Sequence, residues 1–338
     1  MAGIFRDGFD SYASALTVVG FAAKYSNVTS SPVSSTITPF AVGRSLFIDT
    51  AGRRLTGTFD AAAGSFTLHG MIHFTAFGTS STLGILQFLT SGTTQVTVSA
   101  TTNGVIFATR DVTNLGSSAI NAVLINTWHA IAIEVVISDT VGRVTVYIDG
   151  ASVLNLTGQD TANGAVLTCN QLLIGSASGG TSTFYLDDLY ITDSATRLTN
   201  HPRIETLVPN ADGTPLNWVR STGTLNYATI DELPVATVDF NSASVVGDAD
   251  EMGLTDLSVT PTSIEEVCIV MYASKTDATA RTLFPGVKSG ATTSDGTAVT
   301  LNATGIRYER PLATDPNTAA AWTTANVNAL LVRPKVAS

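Results

Sequence analysis

Apolar and polar residues alternate along this chain in short runs, separated by Gly, Asn, Ser and Asp. In residues 95–99, Gln-Val-Thr-Val-Ser, both valines fall on one side and the polar side chains on the other. That period of two is the mark of a half-buried strand. The same reading predicts strands over residues 45–49, 65–74, 84–89, 104–108, 128–136, 144–148, 172–175 and 184–193. Turn residues recur every ten or so positions between them, as in an all-β sandwich. Tyr147-Ile148-Asp149-Gly150 reads as a strand running into a hairpin, because Asp-Gly supplies the positive φ of a tight turn. Helical periodicity is almost absent; one short helical turn is expected within residues 315–328.

A boundary is expected near residue 200. Residues 193–202 are polar and end in Pro202, which fixes its own φ and biases its predecessor toward an extended backbone. This divides the chain into domains over residues 1–200 and 201–338. In the second, strands are predicted over residues 204–209, 264–273, 283–288, 298–303 and 329–336, with a turn cluster at 210–215. No fixed-period repeat points to a solenoid or propeller.

Charge narrows the function. Only 13% of the 338 residues are charged, about half the usual ~25%. The surface must therefore be covered largely by Thr, Ser, Asn and Gly. Net charge is −10. The part before residue 201 has 8 basic and 12 acidic residues, and the part after it has 9 and 15, so neither half is a basic module. An acidic chain repels a phosphate backbone, and nucleic acid is not an expected partner. Cys169 and Cys268 lie one in each half, in apolar runs, and read as buried free thiols rather than a disulfide framework. No run reaches the ~18 apolar residues of a membrane helix. Residues 1–7 lack the basic-then-apolar pattern of a signal peptide.

The order of strands from Trp128 through Tyr147-Ile148-Asp149-Gly150 and Ile174-Gly175 to Asp187-Asp188 resembles the concanavalin-like jelly roll of laminin-G-type domains. The opening Phe5-Arg6-Asp7-Gly8-Phe9-Asp10 resembles that of bacteriophage virion proteins whose first domain is laminin-G-like. Leu207-Val208-Pro209-Asn210-Ala211-Asp212-Gly213, Asn217-Trp218, Ser221-Thr222-Gly223, Tyr227 and Asp231-Glu232-Leu233-Pro234 resemble the second domain of the same group, as do Thr314-Asp315-Pro316 and Ala321-Trp322-Thr323. Members are structural components of tails or heads. The resemblance implies a non-catalytic role, assembly with other virion proteins and copies of itself, and contact with a host-surface glycan.

Candidate chemistry is sparse. Asp187 and Asp188 are adjacent, so on a strand they point to opposite faces. Concanavalin-like domains often bind calcium through rim carboxylates, which makes Asp149, Asp187 and Asp188 candidate ligands. A hard cation needs six or more oxygens, however. The simpler reading gives these aspartates backbone N–H groups to accept, with Asp149 a turn residue. His69 and His73 share one face of a strand about 13 Å apart, too far for one metal. His129 and His201 have no evident partner. Concanavalin-like glycosidases carry two glutamates on one strand, whereas the first half here holds only Glu134, and glycoside hydrolysis needs two carboxylates. No phosphate loop, nucleophile elbow or zincin motif is present. Trp128, Tyr147, Tyr185 and Tyr190 could form a sugar platform, although large aromatics more often pack cores. Trp218 and Trp322, in polar contexts, are candidates for contact with a neighbouring subunit.

The sequence thus predicts an all-β protein: a laminin-G-like jelly roll followed by a smaller β-sandwich. It is expected to be a virion structural protein of the tail, baseplate or fibre, made in the host cytoplasm and released by lysis, with no membrane insertion. Two alternatives are a head-decoration protein and a carbohydrate-binding module of a bacterial surface protein.

Overall fold

The computed structural model describes residues 2–12, 24–29, 33–35, 37–40, 43–49, 53–79, 84–175 and 182–338. The chain forms two compact units, Met1–Ile204 and Glu205–Ser338. Both are built from antiparallel strands, so the all-β class read from the sequence is the class observed.

The strands described in the first unit are β1 (Gly3–Asp7), β2 (Tyr25–Thr29), β3 (Val33–Ser35), β4 (Ser45–Ile48), β5 (Arg54–Ala63), β6 (Ser65–Ala76), β7 (Leu86–Thr90), β8 (Thr93–Thr101), β9 (Val105–Arg110), β10 (Thr113–Ser117), β11 (Trp128–Val136), β12 (Gly142–Ile148), β13 (Ala151–Gln159), β14 (Cys169–Gly175) and β15 (Thr183–Thr192). One sheet runs β13-β12-β11-β6-β15-β4-β3, with β1 also paired to β15. The other runs β10-β9-β8-β7-β14-β5-β2. Alternation decides which side chains meet between the sheets. In β6, Phe66, Leu68, Ile72 and Phe74 are fully buried and point inward, while Thr67, His69, Met71 and His73 point to the outer face. Phe66 packs on Phe59 and Phe88 of the opposite sheet. This is a jelly-roll sandwich with a continuous core. The predicted Asp149-Gly150 hairpin forms: φ is 50° at Asp149 and 82° at Gly150, and Ile148 pairs with Ala151.

The second unit comprises β16 (Pro209–Leu216), β17 (Val219–Arg220), β18 (Asn241–Ser242), β19 (Asp250–Leu254), β20 (Val267–Ala273), β21 (Thr282–Ser289), β22 (Thr292–Ser294), β23 (Val299–Thr300), β24 (Ile306–Leu312), the single-turn helix α1 (Thr324–Asn328) and β25 (Leu331–Val336). The main sheet runs β16-β19-β25-β21-β22, with β23 on β21. The separate β20–β24 ribbon packs over it around a small core of Ile269, Val287, Trp322, Val327 and Leu330. Three sequence expectations are corrected here. Residues 204–208 are not a strand. The expected turn at 210–215 lies instead within β16 and breaks its register against β19, because the Asp212 carboxylate accepts the N–H groups of Asn226 and Tyr227. The strand expected at 298–303 shrinks to Val299–Thr300. No helix among the described residues is long and apolar enough to cross a membrane.

Candidate functional site

The outer face of the β6 sheet carries most of the chemistry of the first unit. It begins at a bulge in β15, where the register against β6 shifts between Asp187 and Tyr190 and Asp188 takes φ 51°. The bulge turns both aspartates into the protein, 5% and 2% exposed. Asp187 accepts the Asp188 N–H at 2.8 Å. Asp188 Oδ1 accepts the Ile204 N–H at 2.7 Å, and its Oδ2 is buried without a partner. Asp7 and Asp10 stand close enough to repel this pair. Asp7 accepts from the Phe9 N–H and from the hydroxyls of Tyr12 and Tyr25; Asp10 accepts the Arg44 N–H. Burial first, and then the charge of Asp188, push the Asp187 carboxyl up to about 9. Burial also raises Asp188, to about 7, against the pull of the Ile204 N–H and Arg203. The bulge therefore holds a proton that ordinary carboxyls release well below neutrality.

Asp149 does not join this pair. It lies at the β12–β13 turn, accepts the Ala130 N–H at 2.9 Å and meets His129 Nδ1 at 2.6 Å. Asp187 registers with Met71, and Met71 with Ala130, beside Asp149. Three strand spacings, about 14 Å, thus separate Asp149 from Asp187. Of the candidate calcium ligands, Asp187 and Asp188 are therefore neighbours, and Asp149 stands apart from them as the turn residue of the β12–β13 hairpin. Among the described residues no three His, Cys, Asp or Glu side chains converge as a metal-binding group.

The histidines also differ from expectation. His129, read as unpartnered, faces Asp149, and its Nε2 accepts the Leu124 N–H. His201 packs its ring against His69, with centroids 6.4 Å apart. His69 Nε2 accepts the Leu198 N–H, which requires that nitrogen to be unprotonated. Burial lowers both His69 and His201 to about 4. The segment from Ser194 to His201 is strapped across the outer face. The Thr67 hydroxyl donates to Ser194 O, and Glu134 accepts the Arg197 N–H at 3.0 Å. Arg143 donates to Ala195 O and lies 3.3 Å from Glu134. Arg197 covers the Tyr147 ring at 4.4 Å. Glu134 is consumed by this strap.

Beyond the strap, four rings cross the same face. Phe47, Tyr185, His73 and Trp128 are successive cross-strand partners on β4, β15, β6 and β11. Their centroids follow at 4.7, 5.8 and 5.4 Å, and each side chain is half-buried. Trp128 and Tyr185 lie in one row with His73 between them, its ring turned 56° and 71° from theirs, while Tyr190 is buried and Tyr147 is capped by Arg197. Phe47 and His73 join the row only through strand register.

In the second unit, Trp322 is corrected from a candidate surface contact to a core residue. It is 4% exposed, and its indole N–H donates to Leu312 O at 2.8 Å. Trp218 is half-buried, its backbone N–H held by Asp250. Cys169 is buried, and burial pushes its thiol up to about 12; Cys268 is only half-buried, and neither forms a disulfide. Asp7, Asp10 and the ring row are the features that sequence reasoning missed as site components. The Asp7-Gly8-Phe9-Asp10 stretch was the available signal for the first two.

No protein-family model matches the sequence, and no curated protein matches it. Among solved structures, the chain is similar to the globular domain of T. cruzi calreticulin at 12% identity and TM-score 0.39, over 57% of this chain and 88% of that one. A Trypanosoma rangeli sialidase matches at 14% identity and TM-score 0.35, over 47% of this chain. The alginate lyase Aly36B matches at 16% identity and TM-score 0.29, over 44% of this chain and 82% of that one. The chain spans only 27% of the length of the sialidase.

Proposed function

We propose that this chain is a non-catalytic structural protein of a bacteriophage particle, working in the tail, baseplate or fibre region in assembly and contact with the host surface. The resemblance of its opening and of residues 203–234 to virion proteins supports the setting. One observation carries the structural role. The second unit, residues 205–338, buries eight apolar side chains, five of them packed as one cluster. A unit of that size normally buries far more, and one that does not finds its missing apolar contacts in neighbouring subunits. A non-catalytic role agrees with the fate of the carboxylates: Glu134, Asp149, Asp187 and Asp188 each accept backbone N–H groups. Mass spectrometry of density-purified particles tests the proposal. Stoichiometric recovery of the chain with the particle proteins is expected; its absence from particles made by cells that express it would overturn the reading.

The ring row favours a second reading, a carbohydrate-binding module. Pyranose rings stack on aromatic faces, and the half-buried Trp128 at one end of the row and the Phe47–Tyr185 pair at the other, whose planes differ by 30°, are the surfaces such a ring would meet. Binding of a neutral oligosaccharide that Trp128→Ala weakens by tenfold or more would favour it. Equal binding by both proteins would remove it.

A further inference from the structure

The β20–β24 ribbon of the second unit has an edge of a kind that folded proteins seldom leave open. β20 pairs with β24 alone, in unbroken register from Val267 opposite Leu312 to Ala273 opposite Ile306. Residues 269–273 make no backbone hydrogen bond to any other described segment. A strand paired on one side turns alternate N–H and C=O groups away from its partner, so this stretch presents a row of them with no strand alongside. Proteins usually blunt such an edge with a lysine, a proline or a bulge. Val267-Cys268-Ile269-Val270-Met271-Tyr272-Ala273 contains none of these.

The two faces of β20 differ. Val267, Ile269 and Met271 pack into the Trp322 core. Cys268, Val270 and Tyr272 fall on the opposite face by alternation, with Val270 43% and Tyr272 37% exposed. A single strand sets these three side chains in one line. Their cross-strand partners on β24 are Pro311, Glu309 and Arg307, the last two joined as an ion pair at 2.7 Å.

These features fit a second copy of the same strand. In an antiparallel pair about a two-fold axis, opposed side chains share a face. The axis must therefore pass through a residue, because an axis between two residues would set core-facing side chains against outer ones. With the axis at Val270, Val270 meets its own copy, Cys268 meets Tyr272, Ile269 meets Met271, and Glu265 meets Lys275 at each end. An axis at Ile269 would set Glu265 against Ala273, and one at Met271 would set it against Asp277. Charge thus selects Val270. Glu265 and Lys275 form no ion pair among the described residues: the Ser263 hydroxyl donates to Glu265 at 2.9 Å, and Lys275 donates to Thr279 O at 2.6 Å. We propose that β20 is a self-association edge, which pairs antiparallel with β20 of a second copy of the chain about a two-fold axis at Val270. The ribbons join as a four-stranded sheet ordered β24-β20-β20-β24. The contact is isologous and closes as a dimer. The inference rests on the assembly reading for its purpose, but not for its test.

Disulfide trapping and light scattering of the full chain read the outcome. Val270→Cys in a Cys268→Ser background is expected to give a disulfide-linked dimer under mild oxidation, because opposed Cα atoms stand about 4.5–5.5 Å apart, within disulfide reach. Ser263→Cys in the same background is exposed but opposite Asp277, and is expected to stay unlinked. In a dilution series the wild type is expected to be a dimer. Glu265→Lys is expected to weaken it about tenfold, since both end pairs become like-charged, and Glu265→Lys with Lys275→Glu is expected to restore it. A wild type monomeric throughout overturns the proposal, as does trapping no better at position 270 than at position 263. A double reversal no tighter than Glu265→Lys overturns the register. Particle mass spectrometry reads the virion assignment separately, so either failure is recognisable.

Discussion

Asp187→Asn should change how stability depends on pH, and the sign follows from opposed groups on one sheet face. A carboxyl whose folded pKa lies above its unfolded value holds an extra proton in the folded state, so stability falls as pH rises from the unfolded pKa to the folded one. Asp187, raised to about 9, and Asp188, raised to about 7, act in this direction. A histidine whose folded pKa is lowered does the reverse: stability is lost as pH falls from 6.5 toward the folded value. His69 and His201, lowered to about 4, act so. The two effects offset one another between about pH 4 and 6.5, and above that the carboxyls act alone. One retained proton costs about 1.4 kcal/mol per pH unit, so the wild type should lose roughly 3 kcal/mol between about pH 7 and pH 9. Asparagine imitates the protonated acid and still accepts the Asp188 N–H, but it has no proton to lose. Urea unfolding of both proteins at matched pH values isolates the effect, because the histidines and the second unit cancel in the difference. The variant's advantage should grow by about 1.4 kcal/mol per unit over this range. A difference that does not vary with pH would refute the buried-proton account.

Other perturbations separate the strap from the core. Glu134→Ala leaves the Arg197 N–H without its acceptor and should cost about 1–3 kcal/mol, seen as faster hydrogen exchange in residues 195–200 and little change elsewhere. Unchanged exchange there would mean that the strap is held by other contacts. Gly104→Ala should destabilise the first unit by at least ~2 kcal/mol, because φ is +64° and a Cβ would stand 2.0 Å from Val123 O. A thermal midpoint equal to the wild type would contradict this geometry.

Much of the first unit was legible because its signals are local. Val96 and Val98 alternate with polar residues, and Asp149-Gly150 has the backbone freedom that the β12–β13 turn requires; both elements form where expected. The site was less legible because it depends on register between distant segments. Asp7 and Asp10 approach Asp187 across some 180 residues of chain, and no local pattern announces that meeting. Phe47, Tyr185, His73 and Trp128 become one row only when four strands align. Trp322 misled through its polar neighbours: α1 and the Leu312 carbonyl enclose an indole that the sequence presents among Thr and Ala.

Electron microscopy of purified particles labelled with an antibody against this chain would locate it on the particle. The account predicts label at the tail, at its tip, baseplate or fibres. Label over the capsid would contradict the tail assignment in favour of head decoration, and particles bearing no label would contradict the virion role itself.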